Sequence, residues 1–569
     1  MEFANSLLQN EHAPRALVAA AAVAVVPACA VARRMFRAWA MRTFTAVPDA
    51  QRAGAPRRGA LLPGTVVICG GSLAGLLAAR VCTDHFERVI VIEPEGWVFT
   101  DAAREPPVDD VQEVVKEGDD EASYRSIRHK RTRIYQYTAT HGFQAILTQV
   151  LRALFPNTLD DALKKFGIPL VPLDPNALVA GHWLAIPWTS FPGGEPPVVP
   201  CATRRTMEPF VRGLVKDKCP RIEFVHGTVT DFVLDGRRIG SVVVRCADGT
   251  SRTIESALVA DCTGVAQAGL KMLTRSLGES MPASLREHYS LKMQYSTLEF
   301  PRVGLRSLLE IAKPVRSDGL GPLLPDKTAM VFSYNPDPRQ ESRTVLMVTT
   351  DNDGVALSAG GWDCELPHTL DELRAFLHRT KDLAKIPPSV FRFLDALEPH
   401  KDEALVSESR ITSCSRIHYA RAARVLPTNF VALGDSNMRM NPRFGEGTSK
   451  TAVGVMTLDG VLRDVSLKSA SFGHTFFKRL DARTGTIWDA AKYADYGHPT
   501  TTPAEGESAA DGAFPLWLNS KIQPLLPTNP TIAKALSNMS NFIAPPLDLF
   551  SPYILLCILR ETIWPTSRA

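Results

Sequence analysis

The chain has 569 residues, too many for one hydrophobic core, so at least two domains are expected. Apolar residues make up 45% and charged residues 22%, the balance of a folded protein, and 64 basic against 60 acidic side chains leave a net charge of only +4, which argues against nucleic acid as a partner. The ten cysteines show no CxxC pair and no Cys/His ligand spacing, so no zinc or other metal site and no disulfide framework is expected.

Residues 1–64 read as an N-terminal apolar segment and linker. The run 16–32 is uncharged and is followed at once by Arg33, Arg34 and Arg37. Two readings stand: a membrane anchor, with the body cytosolic by the positive-inside tendency, or an ordinary alanine-rich helix, packed on the domain or left frayed, of a cytoplasmic protein. A cleaved secretory signal fits worst, because the basic residues follow the apolar run instead of preceding it. Residues 46–64 carry Pro, Gly and Arg without an apolar period and predict a linker.

From Thr65 a β-α-β unit is predicted: TVVIC as a buried strand, LAGLLAARVCTDH as a helix, and RVIVIE as a second strand ending on Glu93. Gly70, Gly71, Ser72 and Gly75 occupy the turn between them. In a dinucleotide fingerprint the first glycine allows the turn, the second admits the pyrophosphate, and the third lets helix pack on strand. Here Gly70 and Gly75 hold the outer positions and Ser72 the middle one, with Glu93 placed to accept ribose hydroxyls. The stretch reads as a nucleotide turn or as the corner of another α/β fold.

Residues 101–129 are highly charged and predict a solvated loop. Helices are expected over 141–155, 156–167 and 204–218, an irregular proline-rich and aromatic stretch over 168–202, and strands within 222–249 and 257–264. Strand-like 328–336 and 343–350 and helical 369–380 suggest a separate β-rich layer. Residues 430–462 then place a strand before Gly434 and Asp435, followed by Asn441, Pro442, Gly445, Gly447 and a helix, a loop whose N–H groups can face an anion or the polar edge of a flavin. The last seventy residues hold proline-punctuated apolar patches. The run 553–559 is too short to cross a bilayer and reads as an interfacial helix or as one packed on the body.

Three segments in this order, GGSLAGL (70–76), RRTMEPFVR (204–212) and GDSNMRMNPRFGEGTS (434–449), resemble the single-fingerprint FAD-dependent monooxygenases, the superfamily of p-hydroxybenzoate hydroxylase and squalene epoxidase, most nearly its polyether-type epoxidase branch. The resemblance implies an α/β fold with a Rossmann-like FAD-binding domain in two parts, 65–284 (with part of the substrate pocket at 168–202) and 405–499. An inserted β-sheet-rich substrate domain would span 285–404, and a helical, apolar region, open to association with a membrane, 500–569. Asp435 would contact the ribityl chain or pyrophosphate of FAD, and Pro442 to Gly447 would line the isoalloxazine. Arg204 would approach the phosphates, the alternative being a surface arginine. Asp261 and Gly264, in LVADCTG, match positions near the adenosine half. Gln136 and His141 precede a helix lying near the flavin, and His141 either approaches the flavin edge or caps and packs that helix. The chain departs from the pattern at Ser436, at Arg443 and Glu446, which bring charge beside the flavin ring, and at Cys262, read as a buried apolar residue.

By that resemblance the protein is an FAD-dependent monooxygenase that passes one oxygen atom of O2 through a flavin C4a-hydroperoxide to a lipophilic substrate, by epoxidation or hydroxylation of an isoprenoid or polyketide-type alkene. The cofactor carries the hard step, so no acid–base triad is required. Electrons would come from NADPH or from a reductase partner, and a membrane surface is an expected partner. Alternation in LKMQYSTLEF puts Leu291, Met293 and Tyr295 on one strand face, where they read as core or, with Trp183, as substrate pocket. Rival readings are a flavin-dependent reductase of isoprenoid double bonds, a halogenase, disfavoured because HWLAIP lacks the W-x-W-x-I-P pattern, and a non-catalytic FAD-binding membrane protein.

Overall fold

The computed structural model describes residues 13–115, 123–134, 136–317, 319 and 321–565. Most of its strands gather into two large sheets. In the first, Leu62–Cys69 lies near the middle with its last four residues buried, as a parallel strand covered on both faces must be. Across that sheet the order is Ser251–Glu255, Arg238–Cys246, Ile222–Asp235, Phe86–Glu93, Leu62–Cys69, Leu258–Asp261 and Phe430–Ala432. From Ile222–Asp235 onward the neighbours are parallel, and the other two strands add an antiparallel meander. The helix Leu73–Cys82 packs on the sheet, with the helices Arg204–Lys218 and Gly447–Asp464 against it. One apolar core therefore joins residues near 70 to residues near 450. The helix 204–218 begins where the sequence places it, because the Thr203 side chain caps it by accepting from the Thr206 N–H.

The second sheet holds ten strands among the described residues, built around Arg286–Phe300, which pairs with Val355–Trp362 on one side and with Leu405–Ile417 on the other. Arg343–Thr349, Met330–Asn335, Ala177–Val179 and His182–Trp183 continue it one way, and Ser123–Ile127 and Val111–Val115 the other. The strand 405–417 thus carries this sheet past residue 404, the boundary expected for the inserted domain. Residues 101–129 also differ from the expected loop, since they contain the paired strands 111–115 and 123–127. The strand 111–115 is the edge of the sheet and 123–127 joins it to 405–417; each is only five residues long, and the charged residues around them mask the strand pattern in the sequence.

Tyr289, Leu291, Met293 and Tyr295 share one buried face of the central strand and pack toward the helix Phe472–Tyr496, whereas Leu298 and Phe300 pack toward the helices Leu305–Ala312, Leu370–His378 and Pro388–Leu397. The first and last described segments are helical: Ala13–Phe44 at one side of the sequence, and Ala513–Ile522, Pro530–Ser540 and Pro552–Ile563 at the other. Among the described residues no helix is long and apolar enough to cross a membrane.

Candidate functional site

A cleft of about 560 Å³ runs between the two sheets and is lined both by the turn after the first strand, including Gly70 and Ser72, and by Gly434, Asp435, Pro442, Gly445 and Gly447. These stretches are more than 350 residues apart in sequence, and the shared core of the first sheet brings them to one slot.

At one end, Gly70 has φ +117 and Gly75 lies so close behind it that a Cβ on Gly75 would sit 1.8 Å from the Gly70 carbonyl oxygen. Only glycine fits both places. Ser72 stands at the N-cap of the following helix without capping it, so Leu73 and Ala74 line the cleft at a helix start whose N–H groups lack that cap. The Ser72 hydroxyl instead donates to Glu208 Oε2 at 2.8 Å and accepts from Arg204 Nη2 at 2.9 Å. Gly71 and Gly75 lie behind the lining, and the Gly71 N–H donates to Glu93 Oε2 at 2.8 Å.

Behind this turn sits a buried ion network that the sequence reading did not contain. Arg131 contacts Glu93, Glu95 and Glu208 at 3.1, 2.5 and 2.9 Å. Arg212 reaches Glu208 at 2.7 Å and Arg204 reaches it at 3.4 Å. Burial alone would raise the Glu208 carboxyl, but Arg131, Arg212 and Arg204 overcome it and hold the group at about 2. Arg204 is a cleft residue and not a surface one: burial lowers its pKa, and its Nε is buried with no hydrogen-bond partner. Glu93 also lines the cleft. Its oxygens accept from the Gly71 and Glu95 N–H groups and from Arg131, which leaves one of about four lone-pair positions open.

On the far side, Asp435 forms an ion pair with Lys450, a buried residue of the first turn of the helix Gly447–Asp464 that also lines the cleft. Lys450 was not foreseen; its position one turn after Gly447 is the only sequence signal for it. Asp261 is not a lining residue. Its carboxylate accepts from Thr263 N and Oγ1, Gly269 N and Ser436 Oγ, at 2.9, 2.7, 2.9 and 3.1 Å, so it shapes the turn that carries Gly264. Ser436, the departure after Gly-Asp, also accepts from the Gly264 N–H at 2.9 Å and so ties the two turns together. Cys262 lines the cleft, and burial pushes its thiol well up.

The loop 442–447 is held by Gln144, whose Nε2 donates to the Gly445 carbonyl at 2.9 Å, and by close contact between Gly142 and Gly445. His141, beside them, lines the cleft. Its Nδ1 donates to the Ala139 carbonyl at 2.9 Å, burial pushes it down to about 4, and at neutral pH its Nε2 is therefore a lone-pair acceptor. Gln136 also lines the cleft and donates to the Tyr295 hydroxyl at 3.1 Å.

The two charges expected beside the ring do not face the cleft. Arg443 turns away over Trp362, 4.6 Å from its ring centroid, and Glu446 is a buried carboxyl raised by burial to about 8, against the pull of Lys450. Met293 and Trp183 are likewise not lining residues. Met293 packs with the helix 472–496, Trp183 packs 6.3 Å from Phe332 at the sheet edge, and Tyr295, itself not lining the cleft, accepts from Gln136, which does. Ile411, Arg439 and Met440 supply that part of the wall instead.

A Rossmann-type parallel sheet with a Gly-rich turn, a second large sheet, and a cleft between them make up a fold that this chain shares with a solved flavin-dependent enzyme. Among solved structures, the flavin-dependent brominase Bmp2 superposes with a TM-score of 0.52 at 14% identity, over 89% of this chain and all of the brominase (100%). The p-nitrophenol 4-monooxygenase PnpA of Pseudomonas putida gives a TM-score of 0.49 at 13% identity, over 85% of this chain and 99% of that one. Protein Rv3254 of Mycobacterium tuberculosis is 23% identical over 408 residues, 68% of this chain and 70% of that protein. No family model matches the chain.

The residues present suit an FAD. Gly264 and Gly447 line the cleft where a Cβ would meet nothing within 4 Å, so neither wall obstructs a ligand at these points, and the unpartnered Arg204 Nε awaits an acceptor.

Proposed function

We propose that the protein is an FAD-dependent monooxygenase that inserts one oxygen atom from O2 into a lipophilic substrate, by epoxidation or hydroxylation of an alkene. The observation that carries this reading is the single cleft shared by the turn at Gly70 and the turn at Asp435. The helix start at Leu73 and the Arg204 guanidinium would hold the pyrophosphate, because both offer donors to an anion. The free lone pair of Glu93 would accept a ribose hydroxyl. Asp435 and Lys450 would face the ribityl and phosphate region, with Pro442, Gly445 and Gly447 along the ring. FAD, when bound, supplies the chemistry of oxygen activation. The protein orients it and keeps water out with the apolar wall of Ile411 and Met440. His141 presents a neutral acceptor to the cleft and stores no charge there at neutral pH. NADPH or a partner reductase would deliver the electrons.

The test is direct. Purified protein should be yellow, or become so on adding FAD, and should consume oxygen with NADPH or a reductase when a lipid-soluble alkene is present, with the label of isotopic O2 appearing in the product. A colourless protein that takes up no FAD would end the flavin reading. Substrate saturation under anaerobic conditions would replace the oxygenase by a double-bond reductase.

A further inference from the structure

The first and last described segments of the chain meet on one side of the body. Arg37, on the helix Ala13–Phe44, donates through Nη1 to both carboxylate oxygens of Asp548 at 2.7 and 2.8 Å. Nearby, Phe44 and Thr45 share a small seam with Met539, Phe542 and Pro546. Most of the exposed large apolar side chains of the described residues fall in two stretches, 31–39 and 514–564, which this junction brings together.

Each stretch lacks a cover that its chemistry calls for. Residues 28–39 are helical and exposed on every side: Arg33, Arg34 and Arg37 share one side of the helix, and Val31, Met35, Phe36 and Trp39 form an apolar side left uncovered, with Met35 and Phe36 at 68% and 57% exposure. The helix Pro552–Ile563 buries Ile554 and Ile558 against the body yet also leaves Leu556 and Leu559 exposed on its outer side. Phe514 and Trp517 stack at 5.7 Å, and both are exposed. An exposed apolar surface of this extent marks a docking face.

The cations select the occupant. Arg33 and Arg34 are exposed beside the apolar stretch of the first helix, and Arg560 follows Leu559; none of the three has an ion-pair partner among the described residues. Tryptophans at 39, 517 and 564 accompany them, each at least 40% exposed. Leucine and phenylalanine, with tryptophan and arginine at the margin, is the composition of a surface that dips into one leaflet while its guanidinium groups meet phosphate headgroups. We propose that this joint face, clasped by Arg37 and Asp548, seats the protein on a bilayer containing anionic lipid, entering one leaflet without crossing it.

The experiment uses the full chain without detergent and phosphatidylcholine vesicles with and without phosphatidylserine. Wild type should cosediment with both, more tightly when phosphatidylserine is present, with tryptophan emission shifted to the blue and quenched by brominated acyl chains. The double variant Leu556→Glu/Leu559→Glu should lower partitioning on the order of a hundredfold. Arg33→Glu/Arg34→Glu should abolish the preference for phosphatidylserine and leave binding to neutral vesicles. Unchanged thermal midpoints show that both variants fold, and FAD uptake, which the face does not touch, reports separately on the cofactor site. Failure of wild type to bind either vesicle overturns the proposal, as does equal binding by the leucine variant. A wild-type dimer that the leucine variant dissociates, without vesicle binding, overturns it in favour of a second copy of the chain.

Discussion

Replacing Glu208 by Gln keeps the shape of the buried network behind the Gly70 turn but removes its central charge. Arg131, Arg204 and Arg212 face Glu93, Glu95 and Glu208, three charges of each sign, so the variant leaves one buried guanidinium unmatched. Held from its ordinary 4.5 down to about 2, the carboxylate contributes about 3 kcal/mol of stability at neutral pH. Removing one partner of a buried pair costs about 3–5 kcal/mol by a separate route, and the two figures agree. The sign follows from the lowered pKa: the contribution is complete above 4.5 and is lost as pH falls through about 2. Urea unfolding of wild type and Glu208→Gln should therefore differ by about 3 kcal/mol at neutral pH, with the gap shrinking to less than half near pH ~3. Saturating FAD should narrow the neutral-pH gap, because the diphosphate supplies Arg204 with the negative charge it has lost. A gap under about 0.5 kcal/mol at neutral pH, or one that does not change with pH, would refute this account of the network.

Three further outcomes follow from the cleft. Gly75→Ala should abolish FAD binding in a fluorescence titration, since its Cβ would overlap the Gly70 carbonyl, which belongs to the turn itself and has no room to yield. Ser436→Ala should destabilise the protein by about 1–3 kcal/mol in thermal or urea unfolding and weaken FAD retention, because the Gly264 N–H loses its acceptor. His141, pushed from its ordinary 6.5 to about 4, favours the folded state fully above 6.5, and that contribution is lost as pH falls toward about 4. The stability profile of His141→Asn should be flatter across that window, as measured by unfolding at stepped pH.

The sequence by itself determined what lies within one element or one turn. The strand, Gly70 turn and helix to Cys82, the strand ending on Glu93, the helix at 204–218 and the loop after Gly434 all follow from apolar period, cap and glycine placement, which act over a few residues. The alternation that put Leu291, Met293 and Tyr295 on one face also stands, because a strand fixes which side chains share a side. Which side the cleft occupies is another matter, and only the tertiary structure decided that Met293 packs on the helix 472–496 while Ile411 and Met440 line the cleft. The same holds for Arg131 joining Glu208, for Lys450 meeting Asp435, and for Arg443 turning onto Trp362. These partners lie on different elements or in loops, where no period constrains direction. Their meeting depends on how the two sheets pack, a property of the whole core that no local window of the chain encodes.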